Sequence, residues 1–114
     1  RLGEFQLIQA MLADSQAELQ AGWALVRSVA ERFDRKPAHV SDPEVSMLVS
    51  CAKLFCTEMA GRVADRGVQV HGGAGYINDS KVERFYRDVR LLRLYEGTSQ
   101  IQQLIIGRAL VRGD

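Results

Sequence analysis

A chain of 114 residues, 46% hydrophobic and 25% charged, suits one domain with an ordinary packed core. Fifteen basic residues against fourteen acidic ones leave a net charge of +1, which gives no electrostatic case for nucleic acid or an anionic membrane. No apolar run approaches the ~18 residues of a membrane span.

The first predicted element is long. Phe5, Ile8, Leu12, Ser15, Leu19, Trp23, Val26, Ala30 and Phe33 recur with a mean step of about 3.5 residues, the period of a helix seam. This spacing predicts a helix over 3–34, roughly 45–50 Å long at 1.5 Å per residue. Asp34-Arg35-Lys36-Pro37 ends it, because the residue before a proline avoids the helical region. Trp23 and the methionines fall at core positions.

Ser41-Asp42-Pro43-Glu44 opens the second helix. Ser41 or Asp42 can accept the free N–H groups of the first turn, where Pro43 loses nothing. Val45, Leu48, Ala52, Phe55, Met59, Val63 and Val70 continue an apolar face to about His71, and the glycines at 72, 73 and 75 stop it. Cys51 and Cys56 lie on this helix, about 140° apart around its axis. An internal disulfide between them is therefore not expected, and with no second Cys or His pair neither is a zinc site. Buried, reduced thiols in an intracellular protein are the plain reading.

Ser80-Lys81-Val82-Glu83 has capping-box spacing and starts a third helix over about 80–92, with Val82, Phe85, Tyr86, Val89 and Leu92 on one face. The last helix begins near Thr98 or Ser99 and runs to about Arg112, with Ile101, Leu104, Ile105 and Ala109 as its buried face. No segment alternates like a strand. Two long helices on a short link lie antiparallel and two shorter ones can cover their seam, so the fold expected is an all-α, antiparallel four-helix bundle.

Two stretches invite a chemical reading. Glu96-Gly97-Thr98-Ser99 places a carboxylate, a glycine and two hydroxyls where a helix begins. The acid could simply complement the helix dipole. It could also be a general base, held at a carbon next to a carbonyl, with neighbouring N–H groups donating to the developing enolate oxygen. Gln69-Val70-His71-Gly72-Gly73-Ala74-Gly75 is either a glycine-terminated helix or a backbone concavity for phosphate. It is not a dinucleotide fingerprint, since a helix precedes it and Asn78 stands where the third glycine belongs. His71 alone is not a metal site. Arg84, Arg87, Asp88, Arg90 and Arg93 read as a solvated or paired face, because Glu83 and Asp88 interleave.

Gln69-Val70-His71-Gly72-Gly73-Ala74-Gly75-Tyr76, Val82-Glu83-Arg84-Phe85-Tyr86-Arg87-Asp88-Val89-Arg90 and Tyr95-Glu96-Gly97-Thr98-Ser99-Gln100-Ile101-Gln102 together resemble the C-terminal domain of the acyl-CoA dehydrogenase family. Glu4-Phe5-Gln6-Leu7-Ile8-Gln9 through Met11-Leu12-Ala13-Asp14 is similar to that domain's first helix. Three motifs in the right order and spacing are far more specific than one, and the resemblance covers nearly the whole chain.

The resemblance implies a flavoenzyme of fatty acid metabolism that makes a trans-2 double bond in an acyl-CoA thioester. The chain, residues 1–114, would be the last of three domains, the four-helix bundle. Glu96 would be the catalytic base for the α-proton, with the β-hydride passing to FAD. The Glu96 N–H would polarise the thioester carbonyl, and Gly97 would lie against the substrate. Thr98, Ser99 and Gln100 would contact FAD. Gln69, Val70, His71, Gly72 and Gly73 would contact FAD from a neighbouring subunit. The implied partners are an electron-transfer acceptor protein and further copies of the chain in a homotetramer, a dimer of dimers. A cytoplasmic location is expected, or the mitochondrial matrix in a eukaryote. The chain does not begin with Met and reads as processed or excerpted. The family's arginine-rich segment ahead of the first helix is reduced to Arg1. Alone, the chain is expected to fold but neither to hold FAD firmly nor to turn over acyl-CoA. The alternative is a helical oligomerisation module of the same fold that has lost catalysis.

Overall fold

The computed structural model describes residues 1–35 and 42–112. Lys36, Pro37 and the cap candidate Ser41 lie outside the described residues. Helix α1 spans Gln6–Arg35 and α2 spans Pro43–His71. A single turn, α3, follows at Gly73–Tyr76, then α4 at Lys81–Leu91 and α5 at Ser99–Arg112. There is no strand among the described residues. The fold class is the one expected from the sequence.

Most ends are set by local chemistry. The chain starts with a 3-10 turn at Leu2–Glu4, and Phe5 is extended (φ −83, ψ 128), so α1 begins later than its periodicity suggests. Asp42 caps α2 by accepting from the Glu44 N–H at 3.0 Å, with Pro43 in the first turn. Gly72, at φ 58, ends α2. The next residues do not simply trail off; they form α3, where the Gly75 N–H donates to the Gly72 carbonyl at 2.9 Å. Ser80 caps α4 by accepting from the Val82 N–H. The expected reciprocal bond from Glu83 is not made. The Ser80 N–H is already taken by the Ile77 carbonyl, and Glu83 pairs with Arg87 instead. Thr98 rather than Ser99 caps α5, its hydroxyl accepting from the Ile101 N–H.

Helix α2 is the spine. Glu18 of α1 meets Arg62 and Arg66 of α2, while Arg32 further along α1 meets Glu44 near the start of α2, so the two helices run antiparallel. α4 and α5 also pack on α2 in the antiparallel sense. Gly67 faces Val82 while Lys53 reaches Leu92, and Glu58 holds Ser99 while Ser46 lies beside Ala109. Among the described residues α1, α4 and α5 do not approach one another closely through their backbones. The molecule is correspondingly long, 51 × 25 × 25 Å.

The α2 face follows expectation, with Val45, Ala52 and Met59 forming the buried apolar core. On α1 the half-buried residues keep Ile8, Ser15 and Phe33 of the expected seam and otherwise differ from it. The residues turned toward α2 are Ile8, Met11, Ser15, Glu18, Gly22, Leu25 and Val29. Gly22 lets the helices close up: a Cβ there would stand 3.1 Å from the Met59 side chain. Phe5, Leu12, Leu19, Trp23 and Val26 face outward, and Trp23 is 63% exposed. α1 carries two apolar stripes, and α2 takes the one whose small residues allow closer approach. On α4, Phe85 and Tyr86 are exposed while Val82, Val89 and Leu92 are half-buried. On α5, Ile101 and Leu104 are exposed, and Ser99 and Gln102 take the buried positions.

Candidate functional site

The segment from Leu92 to Thr98 joins α4 to α5. Its backbone leaves the right-handed region twice in succession, at Glu96 (φ 54) and Gly97 (φ 88). A non-glycine residue in the left-handed region costs roughly 1–2 kcal/mol. Such strain persists only where the surroundings over-determine it. Glu96 is the one non-glycine residue with positive φ among the described residues. Its side chain is exposed.

The surroundings that impose this conformation lie beneath the loop, and the sequence did not announce them. The Lys53 ammonium of α2 donates to the Leu92 carbonyl at 2.9 Å and to the Gly97 carbonyl at 2.7 Å. The Gln102 amide, from a residue only 7% exposed, donates to the Glu96 and Gly97 carbonyls at 3.4 and 3.3 Å. Glu58 accepts from Ser99 Oγ at 2.6 Å and pairs with Arg93 at 3.3 Å. Arg93 lies against Gly61, where a Cβ would come within 2.8 Å of its guanidinium. The Arg93 Nε is buried and takes no partner. The only signal in the sequence was the placement of Lys53 and Glu58 amid the half-buried residues of α2.

Carbonyls of the loop are thus held from inside. The backbone N–H groups of Glu96, Gly97, Thr98 and Gln100 take no partner among the described residues. An exposed carboxylate beside unclaimed N–H donors on a braced loop can do two things at once. It can take a proton from an acidic C–H, and it can donate to the oxygen on which negative charge gathers.

The other predicted site residues divide by position. Glu96, Gly97, Thr98, Ser99 and Gln100 form one contiguous surface at the start of α5. Ser99 turns its hydroxyl inward to Glu58, and its N–H donates to the Arg93 carbonyl. Gln100, and Thr98 with the hydroxyl proton its cap bond leaves free, therefore carry the polar side-chain groups left to offer a ligand. Gln69, Val70, His71, Gly72 and Gly73 sit at the far end of α2. His71 is exposed, with Nδ1 2.8 Å from the Gly67 carbonyl oxygen. Gly72 and Gly73 face open space. From Lys53 and Glu58 to His71 is about 20–27 Å along the helix at 1.5 Å per residue. One chain does not bring its two predicted segments together.

Among the described residues no group of three or more His, Cys, Asp or Glu could hold a metal. No helix among them is long and apolar enough to cross a membrane. Both cysteines are free, and burial pushes the Cys56 thiol up. The largest apolar groove described, about 600 Å³, lies elsewhere, between α1, α2 and α4, lined by Leu12, Leu19, Met59, Val63 and Phe85.

Residues 1–111 match the family model for the acyl-CoA dehydrogenase C-terminal domain. The chain is 41% identical over 111 residues to a 3-(aryl)acrylate reductase of Clostridium sporogenes, covering 97% of this chain and 28% of that protein. It is 39% identical over 112 residues to the caffeyl-CoA reductase–Etf complex subunit CarC of Acetobacterium woodii, covering 98% of this chain and 28% of the relative. A crystal structure of an acyl-CoA dehydrogenase complexed with FAD from Bacillus anthracis superposes with a TM-score of 0.84 at 32% identity, over 95% of this chain and 21% of that one. The chain spans little more than a quarter of the length of these curated relatives.

Proposed function

Because the chain belongs to the acyl-CoA dehydrogenase family, as its C-terminal helical domain, we propose that it supplies the catalytic base of an α,β-dehydrogenation within a longer, three-domain enzyme. Glu96 takes the α-proton of an acyl-CoA thioester on its carboxylate. As the proton leaves, charge moves onto the thioester oxygen, which the Glu96 N–H is free to receive. Gly97, without a side chain, lets the acyl group lie close to the backbone. FAD, when bound, would supply the acceptor for the β-hydride, with an electron-transfer protein as the onward partner. Thr98 and Gln100 would hold that cofactor from this chain, and Gln69 to Gly73 would hold it from a neighbouring copy in a dimer of dimers. The separation of the two segments along α2 supports that division.

The observation that carries the proposal is the left-handed Glu96–Gly97 pair, held by interior donors while its own N–H groups stay unclaimed. The two relatives described above are named as reductases, and the same residues serve that direction too. Glu96 then enters as the acid that protonates the α-carbon.

In the full-length enzyme, Glu96→Gln is expected to lower turnover by roughly 10²–10⁴-fold, the usual worth of a general base. Exchange of the substrate α-protons with deuterated solvent should vanish while flavin stays bound. Normal turnover by that variant ends the proposal. The second reading, a helical oligomerisation module without catalysis, draws on the outward stripe of Phe5, Leu12, Leu19, Trp23 and Val26. A full-length protein that assembles yet never takes up flavin would favour it.

A further inference from the structure

The geometry points to Lys53, with Gln102, as the positioning residue that sets Glu96 for proton abstraction; this rests on Glu96 being the base. Among the described residues Lys53 is the one cation that bonds both ends of the loop. Its ammonium spans from the Leu92 carbonyl, where α4 ends, to the Gly97 carbonyl, just past Glu96. It therefore ties the two ends of the segment that carries the base to α2, the most heavily packed helix of the fold. The charge also suits its place, because the last carbonyls of a helix carry partial negative charge.

Gln102 acts from the other side. Its amide holds the Glu96 and Gly97 carbonyls together, and it fills the space that a side chain at Gly97 would occupy. Between them the two side chains claim the carbonyl oxygens of both left-handed residues. A peptide unit whose carbonyl is fixed has its N–H fixed as well. Lys53 and Gln102 thus fix the Gly97 and Thr98 N–H groups, and with them the Glu96 Cα from which the carboxylate projects, without touching a substrate. The bonds they make are part-buried. A base displaced by about 1 Å can lose about 100-fold in rate.

The test uses the full-length, flavin-loaded enzyme and butyryl-CoA and 3-phenylpropanoyl-CoA, each with and without deuterium at the α-carbon. Lys53→Met is expected to lower kcat by about 10–100-fold with little change in KM and unchanged flavin content. It should also enlarge the α-deuterium isotope effect, because proton abstraction becomes slower relative to other steps. Simple loss of folded enzyme would lower kcat and leave the isotope effect alone. Gln102→Leu, which keeps the side-chain bulk and removes the donor, is expected to move both quantities in the same direction by less, and it carries the test if Lys53→Met does not assemble. Wild-type kcat and isotope effect in an assembled variant overturn the inference, as does a loss of kcat with an unchanged isotope effect. Glu96→Gln, run alongside, separates the two ideas. If it is inactive and the Lys53 and Gln102 variants are normal, only the positioning role fails; if it is fully active, the base itself has been misassigned.

Discussion

Gly97 stands at φ 88, and the Nε2 of Gln102 lies 2.7 Å from the place a Cβ would take. Gly97→Ala therefore meets two costs, left-handed strain of roughly 1–2 kcal/mol and displacement of a buried amide. The full-length enzyme carrying it should melt earlier and lose turnover, read by thermal denaturation and by steady-state kinetics. Gly107→Ala is the matched control. It lies within α5 with nothing inside 4 Å of a new Cβ, and alanine favours a helix interior over glycine by about 1 kcal/mol. That variant should be as stable as the parent or more so, with normal turnover. The contrast isolates the loop conformation from the general effect of adding a methyl group.

At the scale of the helices, one carboxylate of α1, Glu18, pairs with two arginines of α2. The Arg66 guanidinium, with help from Arg62, holds the Glu18 carboxyl below its ordinary value of 4.5. A depressed carboxylate adds stability that is fully present above its unfolded value and is lost as pH falls through the folded one. Denaturant titrations from neutral pH into acid should show stability falling below about pH 4.5, and Glu18→Gln should flatten part of that slope. Glu83, lowered by Arg87 on α4, contributes in the same sense and keeps the slope from vanishing. Helix ends of this kind were legible in the sequence because a cap is local: Asp42-Pro43, Ser80 and Thr98 act within three residues of themselves. Helix facing was not. Ile8, Leu25 and Val29 are no more apolar than Leu12, Leu19 and Val26, and only the partner helix chooses between them. Glu96 and Gly97 were legible as a candidate site through their motif. The brace beneath them was not, since Lys53 and Glu58 reach their loop partners across 35 to 44 residues of chain.

Across the whole molecule, the burial is thin for its length. Among the described residues Val45, Ala52 and Met59 are the buried apolar ones, and no large side chain is fully enclosed. Phe5, Leu12, Leu19 and Trp23 line an open face of α1, and Phe85 and Tyr86 do so on α4. Exposed apolar surface of this extent marks interaction faces. Prepared alone, the 114-residue chain should self-associate at gel filtration and bind a hydrophobic dye. Flavin added to it should elute separately, because Thr98 and Gln100 supply only part of a cofactor's contacts. A monodisperse monomer that carries flavin through the column would contradict both expectations. The arrangement around α2 has one more outcome. Among the described residues α1, α4 and α5 each seat their backbones on α2 and not on one another, so damage spreads in parallel instead of in series. Loosening α1 leaves the backbone seats of α4 and α5 on α2 in place, whereas a bend in α2 disturbs all three together.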